Sequence, residues 1–339
     1  MTAMKDRIER YQQSIDRSMQ WMLSHQEERG SFGDVNSMAH YMAMGASLLY
    51  NGAPREATRL LSFMRQTYIM PDGDFDMPEI REGIVGRMQE CRYMPSWVIF
   101  SAHVNLAYDI SMQGIPHVLK FQDQETGGLF GSEEDLAAGK GVISTASTCL
   151  GGIAAVVTGQ VEEAKRMGDH VVDNLIDRNP DLGKAFYPIW EKQSGLRTDD
   201  DAPSSPNVPR VLLRNEPVQG HFLTGMIMAF LCDLYQATRD RKYLDGALEM
   251  YQFGVGESSV VYESTLSHKF AWGSAALYRQ TGETRHLESA CRICDYLVST
   301  QESDGSYLMD GAPADWPYQS RLNLASQFAL WIRFTLNLL

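Results

Sequence analysis

Trp21-Met22-Leu23-Ser24-His25-Gln26-Glu27-Glu28-Arg29-Gly30-Ser31-Phe32 and Tyr296-Leu297-Val298-Ser299-Thr300-Gln301-Glu302-Ser303-Asp304-Gly305-Ser306-Tyr307 follow one pattern. It reads aromatic, apolar, three residues, Gln, three residues, Gly, any residue, aromatic. A looser copy with slipped spacing runs from Val118-Leu119-Lys120-Phe121-Gln122 into Gly127-Gly128-Leu129-Phe130, and a stretched one leads from Gln66 to Pro71-Asp72-Gly73-Asp74-Phe75. A recurring unit of this kind is the signature of a repeat architecture. The aromatic and apolar residues end a helix whose last turn packs on a neighbour. Gly supplies the left-handed or tight backbone that stops the helix. Gln is placed to bond backbone groups left open at a helix end, and the aromatic after Gly pins the loop back onto the core.

Working outward, helical periodicity dominates and strand signals are scarce. One set of segments is amphipathic with a charged face: residues 4–25, 54–70, 161–178, 241–253 and 284–300. A second set is apolar nearly all round: residues 36–50, 93–112, 143–158, 218–238, 264–281 and 318–338. A helix with one polar face lies outside, and one apolar all round is buried on both sides. Residues 115–122 supply a short outer helix for the third pair. The expected fold is all-α, an (α/α)6 toroid of about six outer–inner pairs forming a single domain over 1–339. Short turns such as Asn51-Gly52-Ala53-Pro54 join inner to outer helices on one rim. Long loops, 71–92, 123–142 and 179–217, gather on the other, where function usually sits.

The repeat resembles the QW motif of the terpenoid-cyclase and protein-prenyltransferase superfamily of α/α toroids. Two copies match fully, two match with altered spacing and two more positions are degenerate. That resemblance implies a toroid with a central cavity, but the same barrel also serves sugar epimerases and unsaturated-uronide hydrolases. The chain departs from its relatives at the chemistry. Protonating cyclases of the superfamily use Asp-X-Asp-Asp, whereas Thr198-Asp199-Asp200-Asp201 lacks the first Asp. Prenyltransferases hold zinc through Asp, Cys and His, and no such set is recognisable. Cys291 and Cys294 lie within one helix with no partner His motif.

Composition narrows the remaining classes. The chain has 339 residues, 44% hydrophobic and 22% charged, with net charge −13. The acidity argues against nucleic acid and anionic membrane as partners. No stretch approaches the roughly 18 apolar residues of a membrane span, and the N-terminus has no apolar signal core. Five cysteines in apolar contexts read as reduced thiols of a cytoplasmic protein. The sequence fixes no oligomeric state. Phosphate loops, Gly-X-Ser-X-Gly and His-Glu-X-X-His are absent from it, so no cofactor and no metal is expected. Two acidic runs, Asp72-Gly73-Asp74-Phe75-Asp76 and Asp199-Asp200-Asp201, read either as solvated loops or as magnesium sites.

The loop-side starts of the inner helices point free N–H groups into the barrel mouth. Candidate substrate-binding residues there are His40, Tyr41, Tyr93, Trp97, Thr148, Thr224, Trp272, Trp316 and Arg321, with Trp190 as an aromatic lid from the longest loop. Candidate catalytic residues are His221, Glu263 and His268, of which His221 is favoured as general acid–base because histidine titrates near neutrality. Eighteen methionines, several on inner helices, suit an apolar ligand or ordinary core packing. The first expectation is a metal- and cofactor-independent cyclase or isomerase of secondary metabolism. It would act on a polyene or terpenoid-like molecule by an intramolecular, possibly pericyclic, ring closure such as a Diels–Alder cycloaddition. The second is a carbohydrate-active epimerase or uronide hydrolase using His40, His221, His268, Trp190 and Glu191. A non-catalytic scaffold is the third.

Overall fold

A computed structural model describes residues 2–33, 38–76, 91–198, 210–313 and 315–339. Twelve helices within these segments alternate between an outer and an inner layer. The outer helices are α1 (Thr2–Ser24), α3 (Pro54–Thr67), α5 (Tyr108–Leu119), α7 (Val161–Asp169), α9 (Arg241–Val255) and α11 (Thr284–Ser299). The inner helices are α2 (Met44–Tyr50), α4 (Tyr93–Val104), α6 (Thr145–Val157), α8 (Phe222–Thr238), α10 (His268–Thr281) and α12 (Tyr318–Leu336). Inner helices pack in the order α2, α4, α6, α8, α10, α12 and back to α2. The fold is the expected (α/α)6 toroid. Every residue of α6 from Thr145 to Ala155 is buried, whereas α3 buries only one stripe. That contrast is what the sequence patterning implied.

Three repeat copies build one staple. The Nε2 of Gln26, Gln122 and Gln301 donates to the carbonyl of its own loop glycine, Gly30 (3.3 Å), Gly127 (2.8 Å) and Gly305 (3.0 Å). The same nitrogen donates to a carbonyl of the next outer helix: Glu56 (3.0 Å), Glu163 (2.9 Å) and Ser14 (2.9 Å) respectively. One turn further along that helix, Arg59, Arg166 and Arg17 donate to the Gln Oε1. The glycines have φ of +102°, +83° and +96°. A Cβ on Gly127 would lie 2.2 Å from the Arg166 carbonyl oxygen, so side chains are excluded as well as conformationally disfavoured. The last staple, Gln301 on α1, closes the ring. Tyr11 reinforces it by donating to the Cys291 carbonyl at 2.8 Å.

The stretched copy keeps the glycine and loses the Gln. Gly73 (φ +92°) abuts the Gln113 backbone and Phe75 is buried, but Gln66 is exposed.

Several helix boundaries differ from the sequence reading: the inner helices expected from 36, 218 and 264 begin at Met44, Phe222 and His268. The expected inner helix 93–112 ends at Val104, and the third outer helix spans 108–119 rather than 115–122. Asn105 caps the break, its Nδ2 donating to the carbonyls of Ser101 (2.8 Å) and Gly45 (3.0 Å). Leu106 then reverses the chain at φ +61°. A leucine is a poor marker of a left-handed turn, so apolar residues on both sides of the break read as one helix.

The long-loop rim also carries short antiparallel ribbons. Trp190–Glu191 pairs with Val142–Ile143 and with Gly195–Leu196, and Ala185–Phe186 pairs with Leu212–Leu213. Strands of two residues leave no periodicity to read. No helix among the described residues is long and apolar enough to cross a membrane.

Candidate active site on the toroid axis

Helices α4 and α10 face each other across the ring, and their first turns meet on its axis. Lys269, only 3% exposed, reaches over to donate from Nζ to the Tyr93 hydroxyl at 2.6 Å. Its ammonium also lies 5.0 Å from the Phe222 ring centre and 5.3 Å from that of Tyr93. No carboxylate among the described residues pairs with it. Burying an unpaired ammonium is costly, and its place is fixed by the backbone. A Cβ on Gly225 of α8 would lie 2.2 Å from the Lys269 carbonyl carbon, and one on Gly273 would lie 2.5 Å from the Gly225 carbonyl oxygen. Two glycines therefore let α8 and α10 close up and fix the backbone from which the lysine projects.

One turn deeper, Trp97, Trp272 and Trp331 close the axis. Trp272 stacks on Trp331 at 4.5 Å, and Trp97 is tilted against both at 5.7 and 5.9 Å. The indole N–H groups of Trp97 and Trp331 are buried without an acceptor. Buried donors are normally satisfied, so unpaired ones at the end of an aromatic shaft call for a ligand or water acceptor. The six inner-helix N-termini add their partial positive charge at this end. Ammonium, phenol and helix ends together supply donors suited to an oxyanion or a carbonyl oxygen.

Histidines flank this point. His268 has Nδ1 2.8 Å from the Thr265 carbonyl and Nε2 3.3 Å from Gln327 Oε1, between the rings of Phe222 and Phe328. Burial, then the neighbouring Lys269 charge, lowers its pKa to about 3. It is uncharged near neutrality, so no imidazolium proton is available there for general acid catalysis. His221 is 2% exposed, with Nε2 3.3 Å from the Glu216 carbonyl and Nδ1 unpartnered; burial holds its pKa below the ordinary value. It follows Val218, a β-branched residue held at φ +53°.

Of the residues singled out in the sequence, Tyr93, Trp97, Trp272 and His268 converge here. Others are engaged elsewhere. Glu263 is exposed and accepts from Ser259 at 2.7 Å. Tyr41 packs between the layers against Phe63 and Tyr68. Thr148 accepts from the Leu129 amide at 2.8 Å, which anchors a loop, and Thr224 donates back to the His221 carbonyl at 2.7 Å. Arg321 turns outward to Ser306 and Asp304 of the last repeat loop. Trp190 lies edge-on to His170 of the outer layer, with Arg178 over its face, and is no lid on the axis. His40 and Trp316 are half-buried. In the first acidic run Asp74 pairs with buried Arg92 at 3.0 Å, and Asp72 bonds the Asp74 amide within the turn. Asp76 is also engaged. Asp199, Asp200 and Asp201 lie outside the described residues. Lys269, Phe222 and Trp331 were not singled out from the sequence. The signal for Lys269 was available: a charge in the first turn of the apolar segment 264–281, whose other charge, Arg279, lies near its far end.

The opposite end of the axis holds a separate bowl of about 710 Å³, lined by the C-terminal ends of all six inner helices. Phe100 and Trp272 line it, and Asp233 and Arg279 face it.

No protein-family profile and no curated protein matches the sequence. Solved structures do. An alpha-1,6-mannanase from Salegentibacter, solved with alpha-1,6-mannotetrose, superposes with a TM-score of 0.67 at 12% identity, over 97% of this chain and 99% of that one. A D-mannose isomerase gives 0.65 at 10%, over 94% and 96%. A type II terpene cyclase from Scytonema, solved with geranylgeranyl dihydroxybenzoate, gives 0.60 at 14%, over 99% and 100%. The chain is an α/α toroid. At these identities the likeness is one of fold.

Proposed function

We propose that this protein is a cyclase or isomerase of small molecules, working without metal or cofactor at the long-loop mouth. Its substrate would have an apolar body and a carbonyl or carboxylate oxygen. The observation that carries this reading is the buried Lys269 ammonium, held on the axis by Tyr93 above an aromatic floor. Two adjoining donors aimed into a desolvated site polarise a carbonyl, and preorganised donors of this kind are the strongest element of many active sites. For a pericyclic ring closure they would draw electron density from the acceptor component while the walls fold the chain. For an isomerisation they would stabilise the enolate formed when a proton leaves the neighbouring carbon.

The same charge weighs against ring closure begun by alkene protonation. A carbocation about 5 Å from an ammonium is raised by about 3 kcal/mol at an effective dielectric constant near 20. His268, unprotonated at neutral pH, would not supply the proton either.

A second reading, a carbohydrate isomerase, is favoured by the shared toroid of the D-mannose isomerase. An enediolate would use the same two donors, and Trp97 and Trp272 would serve as ring platforms. A thermal-shift screen separates the two readings. The panel holds polyene ketones and carboxylates, their hydrocarbon analogues, and neutral and uronic sugars, each with and without chelator. Stabilisation by apolar carbonyl compounds, indifferent to chelator, is the expected result. Stabilisation by sugars alone would transfer the assignment to the carbohydrate class.

A further inference from the structure

The axis has two chemically opposite ends, and the second has no assigned role. Tyr50, Val104, Val157, Ala237, Arg279 and Asn337 bring the last turns of the six inner helices around the 710 Å³ bowl. A volume of this size is typical of small-molecule sites. Helix C-termini carry partial negative charge, and here six of them converge. The Asp233 carboxylate adds a full charge. It makes no hydrogen bond and no ion pair among the described residues, not even with Arg279, which also lines the bowl. The walls are aromatic: Tyr50 meets Phe334 edge-on at 5.1 Å, and Phe100 and Trp272 continue the lining. The tryptophan layer separates the bowl from the mouth.

We propose that this bowl is a binding site for an organic cation with an apolar body, its ammonium seated on Asp233 and against the aromatic faces. A carboxylate without a partner, aromatic rings and helix C-termini each favour a desolvated cation. Neither a neutral nor an anionic ligand would gain from all three. Arg279 opposes such a ligand, but it is exposed, so its charge is screened by water and ions more than that of Asp233. Burial pushes the Asp233 carboxyl up to about 6, with Arg279 drawing it back, so the carboxylate is formed at neutral pH.

The test is calorimetric titration of the whole protein with benzyltrimethylammonium and with 2,2-dimethylpropylbenzene, its neutral isostere. The expected result is binding of the cation at least tenfold tighter than the isostere, lost tenfold or more in Asp233→Asn. Arg279→Gln, which removes the opposing charge, tightens cation binding and provides an independent reading should Asp233→Asn fold poorly. Lys269→Met, at the other end of the axis, leaves it unchanged. Equal binding of the isostere, unaltered binding in Asp233→Asn, or no cation binding at all would overturn the assignment. None of these outcomes bears on the mouth.

Discussion

Lys269 Nζ donates to the Tyr93 hydroxyl at 2.6 Å across the toroid axis, joining the first turns of two inner helices that face each other in the ring. Each partner needs the other. The ammonium has no described carboxylate to balance it, and the phenol is buried at 9% exposure. The contact puts the most deeply buried cation among the described residues where the inner-helix N-termini point.

On the proposed function, such a placement sacrifices stability for activity. Replacing Lys269 with methionine, of similar length and apolar, removes the desolvation cost and keeps the packing. Chemical denaturation should show Lys269→Met as stable as the wild type or more so, by up to about 2 kcal/mol. A lysine retained only for structure would give a clear loss instead.

The glutamine staples give a graded series. Gln122→Ala removes both Nε2 bonds and leaves the Arg166 Nη2 without its acceptor, Nη1 keeping Gln124, which should cost about 2–3 kcal/mol. Gln66→Ala, at the exposed position of the stretched copy, should fall within about 0.5 kcal/mol of wild type. Urea midpoints at constant slope would measure both.

Glycine substitutions separate conformational strain from steric exclusion. Gly52 has φ +87° with open space where a Cβ would sit, so Gly52→Ala should cost about 1 kcal/mol. Gly127, at φ +83°, would also drive its Cβ into the Arg166 carbonyl, and Gly127→Ala should cost more than twice as much. Equal losses would show that the staple does not hold the two backbones in contact.

Four buried histidines set the acid limit. Burial lowers the pKa of His268 to about 3 and of His170 to about 4, and holds His221 and His286 below the usual range. These folded values lie beneath the unfolded one, so the unfolded chain takes up protons first. Stability is complete above about pH 6.5 and is lost as pH falls toward the folded values, at up to about 1.4 kcal/mol per pH unit for each histidine. Asp233 has the opposite sign: with its pKa raised to about 6, it costs stability as pH rises through about 4 to 6. Melting temperatures from pH 7 to 4 should therefore fall, less steeply in His170→Gln and more steeply in Asp233→Asn.

The toroid was legible because its signals are local and repeated. Apolar-all-round and one-faced helices alternate, and Gln122, Gly127 and Phe130 keep their roles despite a slipped spacing. The break after Val104 was not legible, because Leu106 takes a left-handed turn with no glycine or asparagine to announce it. The site was legible only in outline. Tyr93, Trp97, Trp272 and His268 follow from the rule that inner-helix starts line a mouth. Arg321 and Thr148 satisfy the same rule, yet they bond to neighbouring loops, because the direction of a side chain depends on helix rotation. Lys269 was passed over although a charge inside a segment apolar all round is the kind of exception that marks function. Its partner lies 176 positions away in sequence, a proximity no periodicity encodes.

The central claim is that Lys269 and Tyr93 receive the oxygen of an otherwise apolar ligand. It is tested most directly by titrating a polyene carboxylate and its hydrocarbon analogue into the wild type, Lys269→Met and Tyr93→Phe. The account predicts that the wild type prefers the carboxylate at least tenfold, that Lys269→Met binds both alike, and that Tyr93→Phe falls between. A Lys269→Met protein that keeps the wild-type preference, or a wild type with none, would contradict it.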